Sequence, residues 1–159
     1  GVFTRIYPNI LGELLSTEID GYTPVLLKNS NEYNEESSYQ SNCVKGYINR
    51  ASSIIISLRK NGDRATIEYR IGLENDKIRI YRVQTLGKHN KPLSSDWDDV
   101  LFKLDDIMLY YGKHEEFRLP EILKETKNGM KIHSGSEWIS SILNWENDKI
   151  NDNGGMFFI

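Results

Sequence analysis

Arginine is the side chain best matched to a phosphate, because its planar fork donates two parallel hydrogen bonds to paired oxygens. The middle of this 159-residue sequence holds Arg59, Arg70, Arg79 and Arg82, with Gln84, Lys88, Asn90 and Lys91 following closely. Carboxamides such as those of Gln84 and Asn90 can read a base edge, and the lysines add charge for a polyanion. These eight residues form a candidate nucleic-acid contact, with Arg59, Arg70 and Arg79 sharing the polar face of a sheet with Thr66 and Glu68. The same residue types also fit a buried polar network that fixes helix against sheet. In that arrangement Glu68 is neutralised by Arg59, and Thr66 and Ser57 complete the hydrogen bonding. Both readings stand on the sequence. Of the nearby tyrosines only Tyr81 falls where a base could stack, since Tyr47 and Tyr69 lie on apolar faces.

Other chemistry finds little support. Cys43 recurs with Tyr39, Tyr47 and Ala51 every four residues, which places it on a buried helical stripe and makes it an unreactive packing residue. His89, His114 and His133 lack the spacing of metal ligands, and Asp98-Asp99 and Asp105-Asp106 read as the wet face of a helix. The sequence has no Gly-rich phosphate loop ending in Gly-Lys-Ser/Thr and no His-Glu-x-x-His helix. No catalytic residue, metal ligand or cofactor is expected.

The elements that must position these groups begin with the clearest one. Ser53–Arg59 and Arg64–Ile71 flank Asn61-Gly62, a two-residue hairpin signal because both positions must adopt positive φ. That turn sets Ile56 opposite Ile67 and Ile54 opposite Tyr69 on one face, and Ser57 opposite Thr66 and Arg59 opposite Arg64 on the other. A third strand, about Lys77 to Thr85, would set Ile78 and Ile80 against Ile71 and Tyr69, with a bulge where Arg82 breaks the alternation. A helix spans about Ser37 to Ala51, where Gly46 suggests close packing, and Asn29–Ser38 reads as a loop leading into it. Pro8 opens a short helix and Gly21–Leu27 reads as a short strand. Ser95 caps an amphipathic helix that Gly112 ends. Another short helix follows Pro120, and a last one runs from about Ser136 to Asn147, before a polar tail ending in Met156-Phe157-Phe158-Ile159. The fold class is α+β: a three-stranded or slightly larger antiparallel sheet with helices packed mainly on one face.

Ser41-Asn42-Cys43-Val44-Lys45-Gly46-Tyr47, then Ile55 to Arg59, Ala65 to Glu68, and finally Gln84, Gly87, Asn90, Lys91 and Pro92 occur in an order that resembles the PcfJ-like family of conjugative plasmids, integrated elements and phages. The resemblance covers about residues 35–95. It implies a mobile-element or viral setting, and it also exposes a departure. The histidine that usually precedes the family's cysteine is here Asn42, so the partner that would activate a thiolate is missing.

The overall charge of −3 conceals an uneven distribution. Between Lys45 and Lys91 lie eleven bases and four acids, a balance of +7, while the flanks carry −10. Such asymmetry points to an anionic partner for the centre or to pairing between centre and flanks. The length suits one domain spanning 1–159. With Gly1 in place of Met, the chain reads as a processed product or as one part of a longer polypeptide or assembly. A single cysteine excludes an internal disulfide, and no apolar run approaches the ~18–20 residues of a membrane helix. The expected location is the cytoplasm of a bacterial host or a virion interior. The expected function is that of an accessory nucleic-acid-binding module, the alternative being a structural or protein-interaction domain with no substrate.

Overall fold

The computed structural model describes residues 2–126 and 129–133. In chain order the elements are β1 (Val2–Ile6), α1 (Asn9–Leu14), β2 (Thr23–Leu26), α2 (Ser30–Gln40), β3 (Ser53–Lys60), β4 (Asp63–Glu74), β5 (Lys77–Leu86), α3 (Asp98–Lys113), β6 (Glu121–Thr126) and β7 (Gly129–His133). They form a four-stranded antiparallel sheet, β2-β3-β4-β5, and a three-stranded one, β1-β6-β7. The fold is α+β, with a central sheet one strand larger than the three-stranded core expected.

The β3–β4 hairpin has the register read from its turn: Ile56 pairs with Ile67, Ser57 with Thr66 and Arg59 with Arg64. Asn61 and Gly62 sit at φ 49° and 85°, the left-handed conformations that this turn requires. The β4–β5 pairing differs from expectation by two residues. Ile80 lies opposite Ile71 and Ile78 opposite Leu73, because Asn75 and Asp76 make a tight positive-φ turn in place of a longer loop. A slip of two keeps each side chain on its face. The bulge falls just beyond Arg82: Tyr69 pairs with Arg82 but Glu68 with Gln84, so Val83 has no opposite number.

The core lies between one face of this sheet and α1 and α3. Ile54, Ile56, Leu58, Ile67, Tyr69 and Ile71 pack with Leu11, Leu101, Leu104, Met108 and Tyr111. A smaller apolar cluster of Leu27, Tyr33, Val44, Tyr47, Ile48 and Ile55 occupies the opposite face, so helices pack on both faces where they were expected mainly on one.

Three helical expectations need correction. The helix expected over Ser37–Ala51 is instead α2, which starts at Ser30 with Asn29 accepting from the Glu32 N–H, and stops at Ser41 in a left-handed conformation of φ 52°. A single 3-10 turn, Val44–Tyr47, follows. Gly46 therefore lies outside any α-helix, with open space where a Cβ would stand. Residues after Pro120 form strand β6 rather than a helix. A six-residue helix gains little by itself, whereas β6 satisfies the free edge of β1 from Val2 to Ile6. Ser95 lies in a 3-10 turn ahead of α3 and does not cap it. Gly112 lies inside α3, where a Cβ would meet Ile80 Cγ1 at 3.1 Å. The helix expected at Ser136–Asn147 and the apolar end Met156–Ile159 lie outside the described residues.

One structural residue gave no sequence signal. Arg5 of β1 is buried and donates to the carbonyls of Arg50 and Ala51, both at 3.2 Å, which fastens the second sheet to the chain entering β3.

Candidate nucleic-acid interface

Glu36 lies on the sheet side of α2 and is fully buried. Its Oε1 accepts from Arg64 Nη1 at 2.8 Å and Arg59 Nη2 at 3.4 Å, and its Oε2 from the Thr66 hydroxyl at 2.7 Å. Glu35, one residue earlier and exposed, adds a 2.9 Å contact to Arg64. Arg59 Nε also donates to Ser57 Oγ at 3.0 Å. Arg59 thus finds its carboxylates on α2 and not at Glu68. The hairpin register explains this: Arg59 stands opposite Arg64 and Glu68 opposite Ile55, four residues or roughly 13 Å along the strand. Asn42, at the position of the missing histidine, donates to Thr66 Oγ1 at 3.4 Å and accepts from the Val44 N–H at 3.1 Å.

Glu68 is the centre of a second buried cluster. Its Oε2 accepts from the Ser53 hydroxyl and from Arg70 Nε at 3.3 Å, with Arg50 at 3.8 Å, and its Oε1 accepts from Gln84 Nε2 at 3.0 Å. The bulge at Val83 turns Gln84 onto this face. Arg70 and Gln84 are therefore engaged within the fold.

The two remaining arginines are also matched by acids. Arg79 pairs with Glu74, and its guanidinium lies 4.0 Å from the ring centre of Tyr81. The Tyr81 hydroxyl donates to the same Glu74 carboxylate at 2.5 Å. Arg82 departs further from expectation, because it pairs with Tyr69 on the opposite face of the sheet. There it grips Asp105 of α3 through two bonds, Nε to Oδ1 at 2.8 Å and Nη2 to Oδ2 at 3.1 Å, while the Tyr69 hydroxyl donates to Oδ1 at 2.7 Å. Burial, and then the charge of Asp105, push the Tyr69 phenol far above its usual range.

A different set of cations gathers at the hairpin tip. Tyr39, the penultimate residue of α2, donates to the Gly62 carbonyl at 2.7 Å, while Gln40 donates to the Arg64 carbonyl at 3.0 Å. Arg64 stacks on the Tyr39 ring at 3.8 Å and Lys88 Nζ lies 5.5 Å from the same ring centre. The loop from Gly87 closes with a 2.8 Å bond from its N–H to the Lys91 carbonyl, and His89 and Asn90 adopt φ of 61° and 58°. A Cβ at Gly87 would stand 3.2 Å from Leu93 Cδ2, so a side chain there needs Leu93 to shift slightly. Asn90 turns its side-chain oxygen inward, where no donor among the described residues reaches it. Lys60 lies 4.8 Å from the ring centre of Tyr22.

Two cavities flank the tip and share Tyr39, Gly62, Asp63 and Arg64. One, of about 320 Å³, is bordered by Glu18, Gly21, Arg59 and Lys60; the other, of about 400 Å³, by Gln40, Lys88, Lys91, Leu93 and Trp97. Glu35 and Glu36 already match Arg59 and Arg64. That leaves Lys60, Lys88 and Lys91 set against Glu18 and Asp63, with no carboxylate within 4 Å of any of the three lysines among the described residues. The structure thus brings Lys88 and Lys91 together in one cavity, places Arg59 in the other, and leaves Arg70, Arg79 and Arg82 outside both. Sequence reasoning passed over Lys60, Arg64, Tyr39 and Trp97. The hairpin turn could have found Lys60, which flanks it directly, and Arg64, one residue beyond Asp63.

Cys43 is exposed, contrary to expectation, because the left-handed Ser41 ends α2 before it and so breaks the four-residue recurrence. Among the described residues no group of three His, Cys, Asp or Glu side chains is gathered as a metal site would require, and no helix is long and apolar enough to cross a membrane. No family model matches this chain, and neither a curated protein nor a solved structure was found to be similar to it.

Proposed function

We propose that this domain is a non-catalytic accessory module of a mobile element or virus that binds nucleic acid by its phosphate backbone. It acts in the cytoplasm of a bacterial host or inside a virion. The observation that carries this reading is the set of lysines at the hairpin tip, Lys60, Lys88 and Lys91, which lack the carboxylates that match the sheet arginines. The resemblance of residues 35–95 to the PcfJ-like family, with its usual setting, supports the same reading. Its non-catalytic character rests on the two buried carboxylates, Glu36 and Glu68, whose oxygens are taken up by donors of the fold, and on Asn42 standing where a histidine would activate Cys43. Filter binding of the whole chain to single- and double-stranded nucleic acid at about 50 and 200 mM salt tests it. Binding should be measurable at the lower salt and fall steeply at the higher. Absence of binding to both at the lower salt overturns the reading.

A second reading, a structural or protein-interaction domain, is favoured by one observation. Phe102, Leu109 and Tyr110 of α3 are 61%, 39% and 55% exposed, three large apolar side chains on one helix. It leads if nucleic acid does not bind.

A further inference from the structure

We infer that the hairpin-tip surface takes a single strand in preference to a duplex, with one base held against Trp97. This rests on the nucleic-acid reading above and adds to it the form of the ligand. Duplex readers commonly insert a helix with cationic side chains into the major groove. Neither longer helix can do so: α2 has no Lys or Arg, and α3 carries Asp98, Asp99, Asp105 and Asp106 against Lys103 and Lys113. Lys103 is itself held by Asp20 at 2.8 Å.

The tip cations instead border concave spaces. At about 320 and 400 Å³ each cavity has the volume of a small-molecule site, and the Gly62 turn and Tyr39 stand between them. A duplex presents its phosphates on a convex, rigid cylinder, which can touch the exposed tip lysines but cannot follow both spaces around the turn. A single strand can bend over the tip, with phosphates at Lys60 on one side and at Lys88 and Lys91 on the other. The larger cavity adds what a base requires. Trp97, only partly buried, lies there beside Leu93 and Pro92, and its ring is braced by Tyr22 at 4.8 Å. The Tyr39 ring is occupied by Arg64 and Lys88, so Trp97 is the stacking surface of this groove. Sugar-phosphate backbone and one aromatic contact are common to DNA and RNA, so both are tested.

The experiment measures binding of the whole chain to oligothymidine, to oligouridine and to a mixed-sequence duplex, each of about 16 nucleotides or base pairs. Intrinsic tryptophan fluorescence is followed in the unmodified protein and in Trp97→Phe. A stacked base is worth about 1–3 kcal/mol, so at least one single strand should bind roughly tenfold more tightly than the duplex, a difference of about 1.4 kcal/mol. Fluorescence should be quenched on binding, and the quench should be lost in Trp97→Phe. Lys88→Glu with Lys91→Glu, both exposed positions, should weaken single-strand binding. Equal or tighter duplex binding overturns the preference for single strands while leaving nucleic-acid binding intact. Single-strand preference with a quench that persists in Trp97→Phe overturns the assignment to this groove. No binding to any of the three probes removes both proposals.

Discussion

Glu36 ties α2 to the central sheet. Three donors converge on it from β4 and β3, and it is fully buried, so its loss leaves the Thr66 hydroxyl without its acceptor and Arg64 with only the exposed Glu35. Glu36→Ala should cost about 3 kcal/mol, because one partner of a buried charged pair is removed. Glu35→Ala, at an exposed position contacting the same arginines, should stay within about 1 kcal/mol. Chemical denaturation of the two variants separates them, and equal losses would contradict the buried role of Glu36. Cys43 gives a second test at this scale. Being exposed, it should react with a thiol reagent in the native state, well before unfolding. Cys43→Ser should change stability by no more than about 0.5 kcal/mol. Protection of the thiol until unfolding would return it to the buried stripe suggested by the sequence.

At the scale of elements, the hairpin was legible because turn chemistry and alternation agree on one register. Gly62→Ala tests that agreement directly. A Cβ at φ 85° costs about 1 kcal/mol, although open space surrounds it, so the loss should appear without any packing defect. A neutral result would show that the turn is not held in the left-handed form. α2 was illegible for a definite reason. Its buried residues, Tyr33, Glu36, Ser37 and Gln40, keep helical spacing, but three of the four are polar. A search for apolar stripes passes over them and settles on Tyr39, Cys43 and Tyr47, whose regular spacing spans a break at Ser41. Of the two partners of β6, β1 lies more than a hundred residues earlier and leaves no trace in local pattern. By contrast, β7 follows directly, and its pairing was open to a local reading that went instead to a helix after Pro120. The site was half visible. Lys88 and Lys91 were named from sequence, while the sheet arginines were assigned to a surface that the acids of α2, β4 and α3 already occupy.

For the whole molecule, the uneven charge resolves into pairing and remainder. Glu35, Glu36 and Asp105 of the flanks meet Arg59, Arg64 and Arg82 of the centre, and Glu68 and Glu74 meet Arg70 and Arg79 within it. Reversing Arg79 and Arg82 together is therefore a poor probe of binding, since a carboxylate in place of Arg82 would repel Asp105 and loosen α3. The tyrosines define the alkaline limit of the fold. Burial raises Tyr7, Tyr33, Tyr69 and Tyr111, and partial burial with the Glu74 hydrogen bond raises Tyr81 to about 12. Because the folded values lie above the usual value of about 10, the neutral phenols stabilise the fold fully below that pH. The contribution is lost as pH rises through the folded values. Phenolate absorbance should lag behind that of the unfolded chain above about pH 10, then rise together with loss of structure. Simultaneous titration of all nine tyrosines near pH 10 in an intact fold would contradict this burial.

The claim that the tip lysines, and not the sheet arginines, meet the phosphate backbone is tested most directly by the salt dependence of binding. The slope of log affinity against log salt is measured for the unmodified chain, for Lys88→Glu with Lys91→Glu, and for Arg79→Gln. Each phosphate contact on a single strand contributes about 0.7 to the slope, so the double lysine variant should lose about 1.4 while Arg79→Gln retains the original value. An unchanged slope in the lysine variant, or a loss confined to Arg79→Gln, would contradict the account.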